Sequence, residues 1–375
     1  MTRVRWLAFA LGLLWTCAAG AQVAGVYRWP LPDWLPPPLV PEDNPQTEAK
    51  VDLGRRLFYD KRLSFDGTMS CATCHEQARA FTDGRARPSG ITGDRHPRNA
   101  QSLANVGYWP VLTWANPLLR HLEQQALLPL FGESPVEMGM AGHERELFAR
   151  LAADPAYPER FRRAFPERGG AIDLATITRA LAAFQRTLVS ADSPYDRYRY
   201  GGQENALSPA AKRGEALFFS ERLECFHCHG GVHLTDNLVH RRKPFAEFGF
   251  HNTGLYDRDG KGAYPSDNTG LAEHTGRADD MGRFRTPSLR NVAVTAPYMH
   301  DGSVATLEEA IRHYAAGGRA RSPLTSPFLP GFTLTPQETA DLVAFLESLT
   351  DPGFLSNPAL SDPWPAGSAA SGASR

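Results

Sequence analysis

Apolar residues return at three- and four-residue steps through Leu174, Ile177, Leu181, Phe184 and Leu188, which places them on one face of a helix. A second apolar set, Leu342, Phe345, Leu346 and Leu349, follows Thr335-Pro336-Gln337-Glu338. That tetrapeptide is a capping box with proline in the first turn, so a helix opens there. Two earlier stretches nearly copy each other: Gly54-Arg55-Arg56-Leu57-Phe58 with Arg62-Leu63 after it, and Gly214-Glu215-Ala216-Leu217-Phe218 with Arg222-Leu223 after it. Gly, Leu-Phe and Arg-Leu fall at identical offsets, which marks an internal repeat. Ser208-Pro209 supplies an N-cap and first-turn pair for the second copy. No stretch sustains period-two alternation. The pattern predicts a mainly α-helical protein with long loops and a short hairpin among residues 245–265.

The ends and the middle of the chain set its organisation. Met1-Thr2-Arg3-Val4-Arg5, an apolar run over residues 6–17 and Ala19-Gly20-Ala21 read as a Sec-type signal peptide over residues 1–21, too short for a membrane span. The polar, glycine-punctuated segment 190–205 marks a boundary between two halves, 22–200 and 201–355, and a disordered tail is expected over 356–375. With 375 residues, each half can bury a core. The formal charge of −1 carries no sign of a nucleic-acid partner.

Each repeat leads into a distinctive pentapeptide, Cys71-Ala72-Thr73-Cys74-His75 and Cys225-Phe226-His227-Cys228-His229. Two cysteines three apart can add to the vinyl groups of one haem, and the adjacent histidine then lies under the iron. Of the five cysteines, only Cys17 lies outside these motifs, and it falls in the leader. Two such motifs in an exported chain with no spare cysteine point to two covalent c-type haems rather than zinc or disulfides. The chain reads as two tandem cytochrome c-like haem domains.

Together with Pro135-Val136-Glu137-Met138-Gly139 and Thr286-Pro287-Ser288-Leu289-Arg290-Asn291-Val292, these motifs make the sequence resemble the bacterial diheme cytochrome c peroxidase and MauG family. The resemblance spans nearly all of the mature chain. It implies one haem per domain with calcium between them, one haem meeting hydrogen peroxide and the other storing or relaying electrons. In the peroxidases, a methionine fourteen residues after the histidine of the phrase matching Ala296-Pro297-Tyr298-Met299-His300-Asp301-Gly302 binds the second iron; here that position is Tyr314, as in the MauG branch. An anionic oxygen stabilises oxidised iron where a thioether favours ferrous iron. Met299, Met281 and His313 are the rival ligands. Sixteen residues past His75, where reductively activated peroxidases carry a second histidine, stands Ile91, so an open first haem is implied; nearby His96 is read as a loop histidine.

The resemblance further assigns Gln125 and Pro129 to the distal side of the first haem, with Glu137 as catalytic acid–base; Gln124 is the alternative to Gln125. Trp114, or else Trp109, would stand between the haems. Calcium would be held by Asn99 and by the backbone carbonyls of Thr295 and Pro297, a hard-oxygen set. The implied function is that of a periplasmic MauG-like oxidase, in which peroxide generates a high-valent diheme state that oxidises a protein partner at tryptophan. Within the branch, the methanobactin-associated enzymes are the nearest likeness. The alternatives are a peroxidase drawing electrons from a small redox protein, and a pure electron carrier with both irons fully ligated.

Overall fold

The computed structural model describes residues 27–245 and 249–364, so the expected leader lies outside the described residues. Among the described residues, seven helices of eight or more residues carry the architecture: α1 (Glu48–Phe58), α2 (Glu144–Ala152), α3 (Tyr157–Ala164), α4 (Leu174–Gln185), α5 (Pro209–Phe218), α6 (Leu307–Ala315) and α7 (Pro336–Glu347). The protein is mostly helical with little sheet, as its apolar spacing predicts.

The sequence repeat is a repeat of one helix crossing. Helix α1 starts at Thr47, whose hydroxyl accepts from the Lys50 amide, and buries Leu53, Leu57 and Phe58. It crosses α4, which is capped by Asp173 and buries Ile177, Leu181 and Phe184. Gly54 lies at the crossing, where a Cβ would fall 1.9 Å from the Ala180 carbonyl oxygen. In the second half α5, capped by Ser208, crosses α7, which opens on the Thr335/Glu338 capping box. There Gly214 makes the matching approach, 1.9 Å from the Asp341 carbonyl oxygen. Glycine is needed at both positions because backbone meets backbone.

Two expectations need correction. The strand Phe250–Asn252 pairs antiparallel with Arg283–Arg285, His251 facing Phe284, so the expected hairpin within 245–265 is instead a long-range ladder. Its partner lies beyond an excursion of turns that local pattern does not predict. Around the expected boundary, side chains pass from one core to the other over a short stretch. Leu188 is the last residue of its stretch in the first core, whereas Tyr195 packs into the second and Asp196 forms a buried two-pronged ion pair with Arg290, at 2.7 and 2.8 Å. Finally, residues 356–364 are not a loose tail. Phe354 and Leu360 enter the first core, the Tyr59 hydroxyl donates to the Leu360 carbonyl at 2.7 Å, and Trp364 lies under Arg56 at 5.3 Å. The Ala-, Gly- and Ser-rich composition behind that expectation begins only at residue 366, outside the described residues.

The linker is pinned from both sides. Ser190 exchanges backbone bonds with the Asn105 amide, both at 3.0 Å, and its hydroxyl meets Asn291 and Asp351. Asp351 also takes the amides of Ala191 and Asp192, so one carboxylate gathers the crossover.

Candidate haem sites

Each pentapeptide follows its repeat helix as a single turn, Cys71–Cys74 in one half and Cys225–His227 in the other. The histidines behind them are oriented alike. His75 Nδ1 lies 2.7 Å from the Phe81 carbonyl oxygen and His229 Nδ1 lies 3.1 Å from that of Leu234. A proton held on Nδ1 by a carbonyl leaves Nε2 as the metal-binding nitrogen. Both carbonyls come from bulky residues in the left-handed region, Phe81 at φ 62° and Leu234 at φ 52°. Such backbone costs on the order of 1–3 kcal/mol and is kept where the surroundings dictate it. Sequence reasoning missed these two residues; their offset behind each motif is the only trace they leave.

His75, Cys71 and Cys74 open on a cavity of about 360 Å³ whose wall includes Gln125, Pro129, Glu137 and Trp114. Gln125 ends a short helix, Leu122–Gln125, that is anchored through Glu123, which accepts from Asn44 and from Arg186, each at 2.7 Å. Gln124, the alternative, is exposed and off this wall. The loop bearing Glu137 is clamped: its carbonyl accepts from the Ile91 amide at 2.9 Å, and the Met138 amide donates to the Pro129 carbonyl at 2.9 Å. Position 91 therefore offers an apolar side chain and a backbone clasp. Burial pushes the Glu137 carboxyl up to about 7, so it can both accept and return a proton near neutrality. His96, read as a loop histidine, is also on this wall, its Nδ1 accepting from the Arg98 amide at 3.1 Å.

The second cavity, about 250 Å³, carries Cys225, Cys228 and His229, and Tyr314 from α6. Burial holds the Tyr314 phenol well above its ordinary range, so ionising it requires a cation beside the oxygen. Of the rival ligands, Met299 shares this wall, whereas His313 is spent on the Thr253 carbonyl at 2.9 Å. Arg285 is buried on the same wall, its donors going to Thr113, Thr286 and Gln101 oxygens with no carboxylate among them, and burial lowers it to about 9. A buried guanidinium without a carboxylate, paired cysteines and an oriented imidazole suit a haem, whose propionates would supply the missing charge.

The cavities share part of their walls. Trp114 and Asn99 line both, and the Trp114 indole donates to the Asn99 carbonyl at 2.9 Å. Trp109 lines only the second, stacked under Arg285 at 4.2 Å. Thr295 and Pro297 line the second as well. The Asn99 amide nitrogen donates to the Arg85 carbonyl at 2.7 Å, which leaves its Oδ1 as a candidate oxygen ligand.

Residues 48–205 match the family described as di-haem cytochrome c peroxidase, and residues 211–350 match cytochrome c. The chain is 38% identical to cytochrome-c peroxidase IdrP1 of Denitromonas iodatirespirans, over 96% of this chain and 97% of that one. It is 36% identical to the methylamine utilization protein MauG of Methylophilus methylotrophus, covering 86% and 88% of the two chains. A crystal structure described as a MauG-like protein associated with microbial copper homeostasis superposes with a TM-score of 0.88 at 54% identity, covering 90% of this chain and all of that one. Near-complete coverage of such relatives, on a fold whose two oriented histidines each face a cavity with a cysteine pair, makes this chain a member of the di-haem cytochrome c peroxidase and MauG family, a two-haem oxidoreductase that works with peroxide.

Proposed function

We propose that this protein is a periplasmic oxidase of the MauG type, which spends the oxidising power of hydrogen peroxide on a tryptophan of a protein partner. The observation that carries the reading is the inequality of the two cavities. Glu137 and Gln125 share one with His75, whereas Tyr314 shares the other with His229. When bound, the haems supply reaction with peroxide on one side and storage of oxidising equivalents on both. Glu137 takes the proton from one peroxide oxygen and returns it to the other, which turns a poor leaving group into water. Gln125 orients the peroxide through an amide that does not compete for that proton. Tyr314 would supply an oxygen ligand to a haem held in the second cavity by Cys225, Cys228 and His229, and Trp114 lines both cavities. Asn99 Oδ1 and the carbonyls of Thr295 and Pro297 would hold a calcium ion beside the second cavity, a donor set of hard oxygens. The 54%-identical MauG-like structure supports this branch of the family.

A peroxidase fed by a small redox protein is the second reading, favoured by the 38% identity to a relative named cytochrome-c peroxidase. Resting-state EPR and single-turnover kinetics separate the two. The oxidase gives one high-spin and one low-spin ferric signal and reacts with peroxide without prior reduction. A requirement for one-electron reduction before turnover selects the peroxidase.

A further inference from the structure

Tyr264 is 4% exposed and belongs to the apolar cluster that holds Trp114 and Phe284. Its ring lies 6.1 Å from both Phe284 and His300, which stand on the second cavity wall. On its other side it meets Tyr256 edge-on at 5.5 Å. The two phenols end differently. Tyr264 donates to the amide oxygen of Asn252 at 2.9 Å, a neutral acceptor with no use for a proton. Tyr256 is half-buried, and its hydroxyl donates to Asp301 Oδ2 at 2.5 Å. Asp301 is held in turn by the Ser303 amide on Oδ1, and Arg319 covers the Tyr256 ring at 5.3 Å while bonding Ser303 Oγ and the Leu255 carbonyl. A phenol gives up an electron near neutral pH only where its proton has a base to go to. Within this aromatic cluster, Tyr256 is the phenol bonded to a carboxylate.

We propose that Tyr256, with Asp301 as its proton acceptor, is the station from which oxidising equivalents leave the second haem side for the surface, where an electron-rich aromatic side chain of a protein partner refills it. This rests on the protein-oxidising reading above. In each step one electron passes from the Tyr256 ring into the Trp114–Tyr264 cluster, and the phenolic proton moves to Asp301 Oδ2, leaving a neutral phenoxyl radical. An electron from the partner and the returning proton restore tyrosine. Two such steps use both equivalents of one hydrogen peroxide, which takes two electrons and two protons to become two waters. The partner loses two electrons and releases two protons. Asp301 acts through Tyr256 and is a positioning residue.

The test uses ferric holoenzyme, one equivalent of hydrogen peroxide and N-acetyltyrosinamide as a soluble radical trap. The haem absorption change is followed in parallel with freeze-quench EPR and peptide mass spectrometry. The expected result is an organic radical signal that narrows when the enzyme carries ring-deuterated tyrosine, with the trap adduct mapped to Tyr256. Tyr256→Phe removes the signal, and Asp301→Asn lowers adduct yield per haem oxidised at least tenfold. An adduct on another residue, a signal that survives Tyr256→Phe, or a yield within twofold in Asp301→Asn overturns the inference while leaving the oxidase reading intact. If the variants fail to fold, the labelled wild-type enzyme decides alone: no narrowing and no Tyr256 adduct refute the proposal. Ferric haems that do not respond to peroxide at all overturn the oxidase reading, and this proposal with it.

Discussion

Glu137 carries a carboxyl that burial moves up to about 7, and that shift has two consequences of opposite sense. Because the folded value exceeds the unfolded one, its protonated form stabilises the fold below the ordinary carboxyl range, near 4.5, and that contribution is lost as pH rises through 7. The base role proposed for it needs the ionised form, so the rate of peroxide cleavage should rise across the same window. Glu137→Gln is expected to slow the peroxide reaction about 10²- to 10⁴-fold and to flatten this limb of the pH–rate profile, as stopped-flow absorption would show. On the ligand role proposed for Tyr314, Tyr314→Met replaces an oxygen donor by a thioether and should raise the second haem's reduction potential, measurable by spectroelectrochemical titration. That Glu137 and Tyr314 would lie on the two cavity walls was legible because they sit at fixed offsets from motifs. Phe81 and Leu234 were not: a bulky residue at positive φ opposes local preference, and only the fold demands it. His96 was also hard to place, since a histidine before proline reads the same whether it faces solvent or a cavity.

At the scale of elements, the two crossings make a paired prediction. Gly54→Ala and Gly214→Ala each push a methyl into a carbonyl oxygen 1.9 Å away, so each should cost about 1–3 kcal/mol or more by forcing the helices apart. Thermal melts of the two variants should fall by similar amounts, since the contacts are near copies. Unequal loss would mean that one crossing has room to relax. This layer was the most readable part of the chain, because apolar period, caps and repeated offsets agree on the same helices. The two-stranded ladder was the least readable. Its register joins Phe250 to Arg285 across a long excursion, and no local signal carries that distance.

Taken whole, the molecule joins its two sites through shared walls and a pinned linker. Trp114→Phe should leave the resting EPR signals of the two haems in place while slowing the response of the second haem to peroxide at least tenfold; Trp109→Phe, which touches one cavity, should do less. Stopped-flow spectra of both variants would check this. Removing residues 352–375 tests the other long-range tie. The segment leaves the second core, and its Phe354 and Leu360 fill the first, so truncation should lower the stability of the first domain and leave the second nearly unchanged. Differential hydrogen exchange would locate the loss. Domain order along a chain is a poor guide here, since apolar anchors that follow the second domain in sequence pack into the first.

That returning segment bears on how the protein is made. Synthesis runs from the N-terminus, so the first unit emerges first, yet two of the side chains in its core, Phe354 and Leu360, are translated after the helices of its neighbour. Until then Phe81, whose carbonyl accepts from His75 Nδ1, lacks the Phe354 ring that packs on it at 5.6 Å. A nonsense mutation near the end of the reading frame would therefore injure the half encoded farthest from it.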